Sequence, residues 1–563
     1  MTHRLLVLLL AAAPAFAHGG SFRGQGGGVP PGPGSHPTPS NPTNGGTHTW
    51  LTWWSYNQFQ YTQFRKLQAE RRGPVTNLDG RSEKDPNAWR ARVRTELTPA
   101  LIEALTDEDK EVRTAAAIAL GKWRSVLAIP DLRRAYERDD DKEVRESAIL
   151  GLALVRDPSL RPYLVTVASS QDTPERERGY ALLGLGLLGD GESRAFLLSL
   201  LSPDDKEARA LLPGAAKEPR LSAGKRAQFR CAAVAALTLA GEADLTREFV
   251  RIALDERLEE EVRAYAVTAL GKTRATSALA MVMPLLRSEC EALRRSAALA
   301  LGRIASRADA DVLDALAERV AGDRDRIVRH FATLSLGTIG GPRAFDLLKK
   351  HYDAGNKEAR GFFLIAYGLC KEPGAGPILA EVAKTDPDPM MAAAACLALG
   401  LLEDAGHIPA LRETFDRAKS WTLMQTSMLS LALMNDVASA DKIENVLVGR
   451  RNPEVRTAAA IAFALLRQWS ALPVLMGILR EEKSIVTLTT ISQVMGFLAT
   501  EKAVEPLLAL YRDKGLQRQA RAFALVAVGA LGDPEDVPLL VRLAFDLNYT
   551  IPSDPVDEAI TIL

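Results

Sequence analysis

One short pattern returns thirteen times along the 563 residues, roughly Asp-x-x-x-Val-Arg-x-x-Ala-Ala-x-Ala-Leu-Gly. Its anchor positions are Arg113, Arg145, Arg178, Arg230, Arg263, Arg294, Arg329, Arg360, Ala392, Gln425, Arg456, Leu488 and Arg521. The steps between them are 32, 33, 52, 33, 31, 35, 31, 32, 33, 31, 32 and 33 residues. A fixed period in this range marks an architecture of stacked units rather than a single enzyme domain.

Each unit carries two apolar stripes at helical spacing. In the second unit Leu132, Ala135 and Tyr136 mark one helix, and Val144, Ala148, Leu152 and Val155 the other. Neither helix can bury its stripe alone, so neighbouring units must stack. Pro130, Pro377, Pro473 and Pro506, each fifteen residues before an anchor, suit the first turn of the first helix, where no backbone N–H is needed. Asp107, Asp139, Asp172, Asp323 and Asp386 lie six before an anchor. Asp109, Asp141, Asp325, Asp388 and Asn452 lie four before. These read as turn and N-cap residues between the helices. Gly121, Gly186, Gly271, Gly302, Gly337, Gly368, Gly400, Gly496 and Gly529 lie eight after an anchor. There glycine either ends the second helix or admits the next helix closely.

The pattern resembles the HEAT-like repeats of the phycobilisome-lyase type, over about residues 98–545. The resemblance implies an all-α fold, a right-handed α-solenoid of about thirteen helical hairpins. It also implies that each anchor arginine meets the acidic turn of an adjacent unit, forming a structural ladder through Arg113, Arg145, Arg178, Arg230, Arg263, Arg294, Arg329, Arg360, Arg456 and Arg521. Ala392, Gln425 and Leu488 would interrupt it. Thirteen units stacked at about 8–10 Å would extend roughly 110–130 Å.

The ends differ from the repeats. Residues 1–17 read as a secretory leader: His3 and Arg4, an apolar stretch from Leu5 to Ala13 too short to span a bilayer, then Ala15-Phe16-Ala17. The mature chain is expected to be exported, to the periplasm or beyond. Sixteen of the 32 residues from His18 to Thr49 are Gly or Pro, the composition of a tail with too little apolar surface to order itself. Residues 50–97, opening on Trp50, Trp53, Trp54 and Tyr61, are expected to form aromatic capping helices over the open edge of the first unit, and 546–563 a C-terminal cap. The alternative for the aromatic segment is a platform for cell-envelope polysaccharide. An aromatic segment after an exported Gly/Pro tail also resembles a group of secreted bacterial HEAT-repeat proteins, which implies compartment and architecture but no activity.

Chemistry is sparse. Lys plus Arg equal Asp plus Glu at 70 each, which argues against a polyanion binder and against an electrostatic membrane anchor. HEAT-like enzymes that hold iron use paired His-Glu motifs, and this sequence has no His-Glu dipeptide. Of seven His only His330, His351 and His407 fall among the repeats, without metal-ligand spacing. Phosphate loops and nucleophile elbows are absent. Cys231, Cys290, Cys370 and Cys396 lack C-x-x-C spacing and read mainly as buried thiols, a Cys370–Cys396 bridge being the alternative. No catalytic residue, cofactor or metal is expected.

One irregularity remains, the 52-residue step. Its excess falls at about 204–225, and insertions in repeat proteins map to loops that often serve binding. Arg209, Lys217, Arg220, Lys225 and Arg226 are therefore candidate partner-binding residues. The reading is of a non-enzymatic, monomeric, exported scaffold or adaptor for another protein, without nucleic acid or a membrane span. A lyase-like accessory subunit is the alternative.

Overall fold

The computed structural model describes residues 49–62, 88–203, 222–240, 244–352, 357–449, 452–498, 501–535, 539–551 and 553–562. The leader, the Gly/Pro tail and most of the insertion lie outside them. Among the described residues the secondary structure is entirely helical.

The second helices of the thirteen units are Lys110–Lys122, Lys142–Val155, Glu175–Leu188, Ala223–Thr238, Glu260–Lys272, Glu291–Ile304, Arg326–Ile339, Lys357–Cys370, Pro389–Leu402, Trp421–Leu433, Pro453–Arg467, Ile485–Phe497 and Arg518–Gly532. We number them inner helices 1 to 13. Their starts follow from the turn acids. Asp109, Asp141, Asp325 and Asp388 each accept a hydrogen bond from the N–H two residues on, as N-caps do. Proline enters the first turn of several outer helices, as in Ile129–Arg138 and Leu472–Glu481.

Each inner helix packs beside the next, and inner helix 13 packs beside inner helix 1. The stack therefore closes on itself. The closing contacts are of the same kind as the others. The Trp123 indole N–H donates to the Val528 carbonyl at 2.8 Å, and a Cβ at Gly529 would stand 3.0 Å from the Ala119 backbone. Gly186 likewise faces the Ala236 carbonyl, where a Cβ would come within 2.1 Å. Of the two roles open to these glycines, close approach is the one seen, because each inner helix continues past its glycine. The expectation of an extended stack of 110–130 Å is thus corrected. A small, consistent rotation per unit brings the thirteenth onto the first.

Closure changes the meaning of the ends. The helix Trp50–Tyr61 does not cover the first unit. It lies inside the ring against inner helix 8 and the helix Leu539–Ala544. Gly361 makes room for Trp50, whose ring would sit 2.3 Å from an added Cβ. The C-terminal helix Asp554–Ile562 rests on inner helices 3 and 4, with Pro555 over Gly179. Both cap expectations are therefore corrected for the described residues, residues 63–87 lying outside them: these segments lie in the lumen rather than over ends, because a closed ring has none. The helix Ala88–Ala104 is the outer partner of inner helix 1, so the repeats begin before 98. With neighbours on both sides and an outer helix behind, the inner helices are extensively buried; in Pro389–Leu402 every residue from Met391 onward is buried.

Candidate functional site

The anchor arginines lie near the start of the inner helices, where a guanidinium can reach both its own turn and the next. Arg113 grips Asp139 through Nε at 2.8 Å and Nη2 at 3.0 Å, and donates from Nη1 to the Asp107 carbonyl at 2.9 Å. This bidentate geometry is specific to guanidinium. Arg230 pairs with Glu259 at 3.1 Å, Arg294 with Asp323 at 3.2 Å and Arg360 with Asp386 at 2.9 Å. Arg456 pairs with Glu482. Arg521, in the last unit, pairs with Asp107 in the first at 2.6 Å, across 414 sequence positions. Arg145, Arg263 and Arg329 instead donate to backbone carbonyls of their own units, those of Asp139, Ala253 and Asp323. Arg178 is buried over the Phe229 ring at 5.7 Å, and its Nε and Nη1 make no hydrogen bond. Where the anchor is Ala392, Gln425 or Leu488, the position six before the next anchor holds Lys419, Arg450 or Gly515, so the acid is missing too.

Of the candidate partner-binding residues, Arg209, Lys217 and Arg220 fall outside the described residues. Lys225 is exposed at the start of inner helix 4 and pairs with Glu175 at 2.6 Å. Arg226 beside it is half-buried.

The lumen gathers charged groups that the repeat pattern did not single out. Arg303 pairs with Asp546 and donates to the Gln60 side chain at 2.7 Å, tying both lumen segments to inner helix 6. The Asn548 amide donates to Ser296 Oγ at 2.9 Å, and Tyr549 stacks on Tyr56. Lys272 donates to the Leu543 carbonyl at 2.7 Å; burial, with Arg542 reinforcing it against Asp546, pulls its ammonium down to about 7. Asp557 is pushed up to about 7 by burial, with Asp554 and Glu558 adding to it against the Ser553 backbone N–H. Trp50, Trp53 and Trp54 are 2%, 3% and 7% exposed, so the aromatic segment offers no platform to a polysaccharide. All four cysteines are free. Among the described residues no cluster of His, Cys, Asp and Glu has the makings of a metal site, and no helix is long and apolar enough to cross a membrane.

A closed ring of helical hairpins, each inner helix packed on the next and six of the joins carrying an arginine–acid pair, defines a repeat protein of the HEAT class. The family comparison agrees: the model for HEAT repeats matches residues 88–153, 129–212, 247–330, 376–464 and 440–526, and that for the PBS lyase HEAT-like repeat matches 328–353. These spans cover more than half of the sequence, and the chain belongs to the HEAT-repeat family. No curated protein matches it. Among solved structures it is similar to human deoxyhypusine hydroxylase in complex with glycerol, at 18% identity and a TM-score of 0.22, covering 49% of this chain and 96% of that one. It is similar to the CpcE–CpcF complex of phycocyanin lyase from Nostoc sp. PCC7120, at 18% identity and 0.26, covering 44% and 93%. It is also similar to a structure of Kap95p bound to RanGDP, at 13% identity and 0.35, covering 80% and 67%. Likenesses this distant carry no argument about activity.

Proposed function

We propose that the protein is a non-enzymatic, exported interaction scaffold, and that its partner, another protein, is met by the outer helices and rims of the ring. The observation that supports this reading is the occupied lumen. An open solenoid offers its concave face to partners, but here that face is covered along inner helices 3 to 8 by the chain's own segments 50–61, 539–551 and 553–562. The surface left over includes exposed apolar residues at the rims: Val126, Leu127 and Val437 on one, Leu254, Trp421 and Val448 on the other. The insertion at 204–225, with Arg209, Lys217, Arg220, Lys225 and neighbouring Arg226, falls in sequence between the outer helix Gly191–Leu200 and inner helix 4. The anchor arginines serve as a structural ladder in this reading. Export rests on the leader-like residues 1–17.

The test is chemical cross-linking and affinity capture from the exported fraction, with wild type, a Trp421→Ser variant and a chain whose residues 204–225 are replaced by a short Gly-Ser turn. Reduced capture by either variant, with an unchanged melt, supports the rim. Unchanged capture by both sinks the rim assignment, and stoichiometric iron or zinc in the purified protein would favour an enzyme instead.

A further inference from the structure

The seam where the ring closes holds a concentration of arginine that neither the repeat nor the scaffold reading uses. Arg124 and Arg156 follow inner helices 1 and 2, each with a left-handed backbone, φ 50° and 58°. Arg124 reaches Glu535 at 2.9 Å, Arg156 pairs with the same oxygen, and Arg542 approaches its other oxygen at 3.6 Å. Arg94, on the outer helix of the first unit, lies close enough to Arg124 to oppose its charge, as does Arg156. On the acidic side Glu535 and Asp533 face this group. Among the described residues, four guanidiniums against two carboxylates leave a local surplus of positive charge in a chain that is neutral as a whole.

The surplus has direct signs. The Nε of Arg94 and of Arg156 are buried and make no hydrogen bond. Arg124 and Arg542 are both held below the ordinary arginine range, by burial first and by neighbouring arginines in addition. Half-buried like charges repel, and buried unpaired donors carry a cost, unless an anion joins them.

We propose that this seam binds a tetrahedral oxyanion, the phosphate group of a free ion or of a small phosphomonoester, between Arg94, Arg124 and Arg156. Guanidinium forks match phosphate oxygens in pairs. A divalent anion also removes the surplus that Glu535 and Asp533 leave. The enclosure selects for a small group: Arg124, the most open of the three paired to Glu535, has a side chain only 32% exposed, so a polymer backbone has no track to lie in. Occupancy would brace the ring where its first and last units meet.

The test is isothermal titration of the full chain with inorganic phosphate and, separately, with glycerol 1-phosphate, at fixed ionic strength against a chloride control. Wild type should give saturable binding to one site. Arg156→Gln should weaken it by about tenfold or more, the scale of one charge-assisted pair. Arg94→Gln, which breaks no ion pair, should weaken it without lowering the melting temperature in chloride. That variant keeps the question open to test should Arg156→Gln fail to fold. Glu535→Gln removes the internal competitor, so it should tighten binding and enlarge the phosphate-induced rise in melting temperature. The exposed control Arg134→Gln should behave as wild type. Binding of both ligands supports a phosphoester site, and binding of phosphate alone supports a free-ion site. Absence of saturable binding to either, or wild-type titration by a folded Arg94→Gln and Arg156→Gln, overturns the proposal.

Discussion

Arg521 and Asp107 form the ion pair that joins the last unit to the first, and both side chains are almost wholly buried, at 5% and 4% exposed. Arg521→Ala should destabilise the protein by about 1–3 kcal/mol, the cost of leaving a buried acid short of its partner, since Lys514 at 3.8 Å still faces Asp107. Chemical denaturation against Arg263→Ala, whose Nε reaches only a backbone carbonyl, checks this; equal midpoints would remove the pair from the account. Burial alone would raise the Asp107 carboxyl, but hydrogen bonds from Arg521 and the Asp109 N–H outweigh it and hold it below the usual carboxylate range. Its contribution is therefore present above the unfolded value and lost as pH falls through the lowered one. Asp557 runs the other way. Its folded value of about 7 lies above the unfolded one, so its contribution is full below about 4 and is lost as pH rises toward 7. Asp557→Asn should therefore gain stability relative to wild type at pH 8 and not at pH 4, as read from thermal melts at the two values. A constant difference would contradict the buried-carboxyl account.

At the scale of elements, the hairpins were legible because three independent signals agree: apolar stripes at helical spacing, acids at the turn and small residues where neighbours touch. The glycine eight after each anchor shows how far this goes. Composition narrowed it to two roles, and only the approach of Gly529 to Ala119 and of Gly186 to Ala236 decides between them. The aromatic segment was misplaced for a physical reason. A run of tryptophans announces burial but not against what, and the nearest open apolar edge in sequence was the first unit. Its true seat, beside Gly361 in the eighth, lies 311 positions away and leaves no periodic trace. Trp50→Ala should cost about 3–5 kcal/mol, as for a large aromatic removed from a core. Under a surface-platform account the melt would hardly move. Thermal unfolding of the single variant, with Trp421→Ala as the exposed counterpart, separates the two.

Over the whole molecule, the consequence of the repeat is closure, and one residue hinted at it. Asp107 sits six before the first anchor, the position that elsewhere accepts the preceding unit's arginine, although no unit precedes it. A terminus that needed only a cap had no use for that acid. Per-unit rotation is too small and too distributed to be read from composition, so the extended stack was the natural expectation, and the lumen arginines and the seam cluster were invisible without it. Thirteen inner helices at about 8–10 Å close into a ring with a circumference near 110–130 Å, the length first expected for the open stack. The most direct test is zero-length carbodiimide cross-linking of the monomeric fraction with peptide mapping. Lys514 and Asp107, at opposite ends of the repeat array and 3.8 Å apart, should be joined within one chain, alongside the neighbouring-unit pair Lys110 and Glu143 at 3.2 Å as internal standard. Recovery of the Lys110–Glu143 link without the Lys514–Asp107 link would contradict the closed ring.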